Sequence, residues 1–178
     1  MGIIKGGHLI ILLFFIHLGY AQEESILWNP EIPLSWNNFK DMPTEGDTSA
    51  ALTASGISYQ FSAEQINEEI VLDFQVSAFF YPQKSWYKPE VCDENILNHE
   101  QLHFDIAELF ARKMEIIVKK KRFTANVKKE IKEIYQSIIK ELSVFQDVYD
   151  QETDFSRNIP NQRLWNQKIK TALKNGQL

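Results

Sequence analysis

The stretch Ile96–Phe110, ILNHEQLHFDIAELF, decides how this chain is read. Ile96, His99, His103, Ile106 and Phe110 recur at intervals of three and four, and Met114 and Ile117 continue the series. That is the period of one helical face, so both histidines are expected on the inward side of a long helix. Residues four apart lie about 40° apart in projection and one turn apart along the axis, so the two imidazoles can reach one ion. Glu100 projects about 100° from His99, close enough to take a proton from water beside such an ion without ligating it. Glu108 projects about 160° from the midpoint of the pair and is excluded as a ligand of the same ion.

A single histidine on an apolar face is ordinarily a satisfied core residue. Two of them need partners for four ring nitrogens, and one ion engages both rings. The expected chemistry is therefore zinc held by His99 and His103, with Glu100 as general base. A catalytic zinc takes three protein ligands and keeps a position for water. The other two histidines, His8 and His17, lie in the N-terminal apolar segment, so no third histidine is on offer downstream. Cys92 is seven residues before His99, roughly 10 Å along an axis if that turn is helical. The remaining source is the acidic segment DVYDQETDFSRN, with Asp150 and Asp154 as candidates and Glu152 behind them; turn and cap chemistry explains each of these singly just as well.

Upstream of the helix the pattern changes. GISYQFS sets Ile57, Tyr59 and Phe61 against Ser58, Gln60 and Ser62. EIVLDFQVSAFFYP sets Ile70, Leu72, Phe74, Val76, Ala78 and Phe80 on one face. Both have the period of a half-buried strand, and with AALTAS they predict a small antiparallel sheet. Before them, prolines at 30, 33 and 43 and tryptophans at 28 and 36 argue for an edge strand and a loop.

Downstream the period stays helical. Asp93 is the expected N-cap of the first helix, which should end near Arg122. A second helix begins near Thr124, with the stripe Val127, Ile131, Ile134, Ile138, Leu142 and Phe145. A third begins near Pro160 and carries Leu164, Trp165, Ile169 and Leu173. Strands followed by three helices predict an α+β domain.

The N-terminus reads as a cleaved secretory signal, residues 1–21. It has Lys5, an apolar run from Leu9 to Leu18, and small residues at Gly19 and Ala21. The run is short for a membrane span, and nothing later is long and apolar enough. Residues 22–178 then form a single domain, expected to be secreted or periplasmic. Loss of Lys5 takes the formal charge from −5 to −6, which does not fit a nucleic-acid binder. One cysteine, Cys92, rules out an intramolecular disulfide and reads as a small apolar-like residue. The lysine-rich segment Lys119–Lys129 reads as a solvated face, with binding of anionic envelope polymers as the other option.

Three motifs, SWNNFKDMP, NHEQLHFDIAE and YDQETDFSRNIPNQRLWNQKI, together resemble a family of secreted bacterial proteins, domain of unknown function nine hundred and twenty-two, grouped with the zincin-like metallopeptidases. The resemblance spans most of the chain after the signal. It implies a zincin-like fold, with His99 and His103 at the metal-binding positions and Glu100 at the catalytic glutamate. Tyr149, Asp150, Thr153, Ser156, Gln162 and Trp165 fit the family's terminal motif, and Phe155 stands where that motif has a histidine.

The expectation is a secreted zinc-dependent metallopeptidase. His99, His103 and Asp150 hold zinc, Glu100 acts as base, Tyr149 donates to the oxyanion, and a peptide or protein substrate adds to a sheet edge as a strand. The other expectation, favoured by Phe155, is a catalytically inactive zincin-like binding module of the cell envelope.

Overall fold

The computed structural model describes residues 24–176. The expected signal segment, residues 1–21, lies outside them. Within them no helix is long and apolar enough to cross a membrane.

The strands come first. β3 (Ser55–Ile66) and β4 (Glu69–Phe80) form an antiparallel hairpin in register Ser55↔Phe80 through Ile66↔Glu69. Asn67 and Glu68 close it with φ of 50° and 68°, the paired left-handed conformation that matches the strands' twist. β1 (Ile26–Leu27) adds to the other side of β4, giving the order β1-β4-β3. The face with Ile57, Ala78 and Phe80 is buried, as the alternation predicts.

The segment AALTAS joins this sheet only through Ser55. Its Ala51–Leu52, β2, pairs antiparallel with Trp86–Tyr87, β5, in a separate two-stranded sheet. A two-residue strand is too short for its side-chain alternation to announce a partner.

Three helices follow. In α1 (Glu94–Lys120) the Asp93 carboxylate accepts the Ile96 N–H at 2.9 Å, the expected N-cap. α1 packs on β2, β3, β4 and both later helices, α2 (Val127–Thr153) and α3 (Ile159–Asn175). A helix with neighbours on several sides buries more than one stripe, and Leu102, Phe104, Ile106, Leu109, Phe110 and Met114 are all core residues. At its end the buried residue is Val118, and Ile117, expected inward, is exposed.

The larger correction concerns α2. The acidic segment, whose residues taken singly fit turn and cap chemistry, is helical as far as Thr153. The stripe Ile138, Leu142, Phe145 continues through Tyr149 and Thr153, both fully buried, and the Thr153 hydroxyl donates to the Tyr149 carbonyl at 2.7 Å. Asp150 thus stands on a rigid helix packed on α1. α3 is entered through Asn158, whose side chain accepts the Asn161 N–H, with Pro160 in its first turn.

Candidate metal centre

α1 and α2 bring three of the sequence-selected residues together. Nε2 of His99 lies 3.1 Å, and Nε2 of His103 3.0 Å, from the same carboxylate oxygen, Asp150 Oδ1. One ligand atom from each lies within 4.8 Å of the others, a spacing that admits a single ion. The two rings are 5.0 Å apart and nearly perpendicular.

Each imidazole is oriented from behind. Nδ1 of His99 meets Gln162 Oε1 of α3 at 2.9 Å. An amide oxygen only accepts, so the proton sits on Nδ1 and the Nε2 lone pair faces Asp150. The Gln162 amide is held in turn, with Nε2 donating to Tyr149 Oη at 2.7 Å and to Asn166 Oδ1 at 2.9 Å. The Gln146 side chain supports His103, hydrogen-bonding its ring and donating to its carbonyl at 3.1 Å.

Two imidazole lone pairs and a carboxylate cannot share 3 Å unless a proton or a cation lies among them, and without metal a ring N–H of His103 donates to Asp150. Burial opposes charge on His103, but the Asp150 hydrogen bond and the nearby Glu100 outweigh burial and raise its pKa. Burial likewise pushes Asp150 up, and its close contacts with His103 and His99 overcome it and hold the carboxyl well below its usual range. The depressed Asp150 stabilises the fold above about pH 4 and the raised His103 below about pH 6.5, each relative to its ordinary value in the unfolded chain. In chelator, thermal melts should show the midpoint falling as pH rises above about 6.5 through the raised His103 value. Asp150→Asn should flatten that slope.

Glu100 is 5 % exposed, lines the cavity beside the three residues, and among the described residues has no hydrogen bond or ion pair. The cavity, about 630 Å³, is lined by Thr48–Thr53, Gln146, Asp150 and Phe155–Arg157 together with His99, Glu100 and His103.

Other expected residues fall elsewhere. Tyr149 is wholly buried behind the histidines. Its ring stacks on His99 at 4.6 Å and its hydroxyl lies 3.2 Å from the His99 carbonyl and between the Gln162 amide atoms. Burial pushes the phenol far above its ordinary pKa. It positions His99 and does not reach the cavity as an oxyanion donor would. Asp154, the alternative ligand, caps α2 in a left-handed conformation and is exposed in a bidentate pair with Arg157. Glu152 accepts from Trp165 Nε1 at 2.8 Å. Half-buried Cys92 donates to the Ala50 carbonyl at 3.3 Å, outside the cluster. Glu108 pairs with Arg112.

Gln146, Thr53 and Arg157 had no expected role, and Gln162 and Ser156 had none beyond their fit to the family's terminal motif. Gln162 did carry a signal, as a polar residue three and seven positions before Trp165 and Ile169 on the inward stripe of α3. Thr53 and Ser156 did not. The Thr53 hydroxyl is buried with no partner. Ser156 is 5 % exposed, and its hydroxyl has none among the described residues.

Residues 82–156 match the model of a family described as "Bacterial protein of unknown function (DUF922)". The matched stretch contains α1 and α2 entire, and with them His99, Glu100, His103 and Asp150, and it supports the family resemblance drawn from the motifs. No curated protein and no solved structure matches the chain.

Proposed function

We propose that this chain is an exported zinc-dependent peptidase. The observation that carries the reading is the convergence of His99 Nε2, His103 Nε2 and Asp150 Oδ1 beside an unpaired, buried Glu100. Two neutral imidazoles and a carboxylate are a donor set suited to zinc with a position left for water, and the Gln162–His99 hydrogen bond presents the required tautomer. When bound there, zinc polarises a carbonyl and lowers the pKa of water.

The chain's own residues supply the rest. Glu100 takes a proton from the water that attacks the scissile carbonyl carbon. As the carbon–nitrogen bond breaks, Glu100 returns that proton to the leaving amine. The carboxylate begins and ends ionised, and water is consumed. Its burial without a competing hydrogen bond keeps it free for both transfers.

The peptide reading rests on β2. Lys88 N–H donates to the Ala50 carbonyl at 2.9 Å, so Ala50 and Lys88 form a hydrogen-bonded pair and the next pair, Ala51↔Tyr87, does not. The Ala51 N–H and C=O therefore point away from β5. No strand of the described residues covers that edge, and residues 48–53 wall the cavity. An extended peptide can pair there and pass across Glu100. The edge expected in the main sheet is thus reassigned to this smaller one.

Purified protein should contain about one zinc per chain. It should cleave a mixed peptide library, lose cleavage on chelation and regain it with zinc. A folded, zinc-loaded protein that cuts no peptide would refute the reading.

A further inference from the structure

The turn that leaves α2 is unusual. Asp154, Phe155 and Ser156 are consecutive non-glycine residues with φ of 49°, 50° and 74°. Left-handed backbone is strained for such residues, somewhat less for Asp. The turn is held by Phe155 N–H on the Asp150 carbonyl at 2.9 Å, Asn158 N–H on the Thr153 carbonyl at 2.8 Å, and Asn95 Nδ2 on the Ser156 carbonyl at 2.8 Å. Strain that the surroundings enforce so fully marks a segment whose placement matters.

What the turn places at the cavity wall is a set of donors. Ser156 is 5 % exposed and lines the cavity, and its hydroxyl has no protein partner among the described residues, which leaves it open to a ligand there. Arg157 is the one lysine or arginine in the cavity lining. One edge of its guanidinium, Nε and Nη2, is bidentate to Asp154 at 3.1 and 2.7 Å, which fixes the plane. Nη1, at the other end of the fork, has no protein partner among the described residues. The Phe155 ring, 57 % exposed, lies 5.7 Å beneath the guanidinium.

Resting on the peptidase reading, we infer that Ser156 and Arg157 form a subsite for a carboxylate close to the scissile bond. The shared ligand chemistry is a planar anion that a guanidinium and a hydroxyl bind together. The Asp154 pair does not block this, because an exposed ion pair is weak and leaves part of the fork open. The carboxylate comes either from a free peptide C-terminus or from an acidic side chain.

Binding to zinc-loaded Glu100→Gln protein separates these cases without cleavage. The probes are one neutral peptide with a free C-terminus, the same peptide amidated, and amidated versions carrying Glu or Gln. A carboxylate-bearing peptide should bind about tenfold more tightly than its neutral counterpart. The advantage should vanish in an added Arg157→Met substitution and return in part with Arg157→Lys. Preference for the free acid assigns the C-terminus, and preference for Glu over Gln assigns the side chain. Equal binding of charged and neutral peptides, no binding of any, or a preference that survives Arg157→Met overturns the inference. Failure of the peptidase reading looks different: wild-type protein cuts none of these peptides while the Arg157-dependent preference persists.

Discussion

Replacing Glu100 by glutamine should lower peptide cleavage by about 10²- to 10⁴-fold, the usual contribution of a general base, while leaving zinc affinity within a few-fold of wild type. The split follows from the geometry. Glu100 lies beside the converging His99, His103 and Asp150 and is not one of them, so an isosteric amide leaves the donor set intact. Glutamine keeps the volume and cannot accept the proton. Single-turnover cleavage measured alongside metal content reads both effects. Parallel loss of metal and activity would make Glu100 a ligand or a structural prop, and unchanged cleavage would remove it from the reaction.

Asp150→Ala should have the opposite signature. Metal affinity should fall by more than about 100-fold, since even partners one step behind a ligand are worth 10- to 100-fold. Activity should fall with metal occupancy. The variant should nonetheless fold, because Asp150 is partly exposed on the cavity side of α2 and the core contacts of Tyr149 and Thr153 on the same helix remain. Competition with a chromophoric chelator gives the affinity directly. Near-wild-type affinity in Asp150→Ala would show that the third ligand lies elsewhere.

What the sequence made legible and what it hid divide along physical lines. His99, Glu100 and His103 could be read because their relation is fixed by one helix, where spacing alone sets projection. The β3–β4 hairpin could be read because side chains such as Ile57 and Ser58 or Phe74 and Gln75 alternate without interruption. Asp150 emerged by elimination, and its placement on a helix was missed although the apolar period runs on through Tyr149 and Thr153. The enclosure of Tyr149 was hidden for a different reason. Whether its hydroxyl faces the cavity or the interior depends on the rotation of α2 against α1, which no local pattern encodes. The demands of Gln162, Ser156 and Thr53 exist only once α1, α2, α3 and β2 have met. Each is an ordinary polar residue in the sequence; in the fold Gln162 and Ser156 are buried, and at Thr53 the hydroxyl is.

The central claim is that α1 and α2 together make one metal site. An anomalous difference map collected at the zinc edge, from crystals of zinc-loaded protein, tests it most directly. One strong peak is expected, bonded to His99 Nε2, His103 Nε2 and an Asp150 carboxylate oxygen. A folded protein with no peak there, or with its zinc bound at other residues, would contradict it.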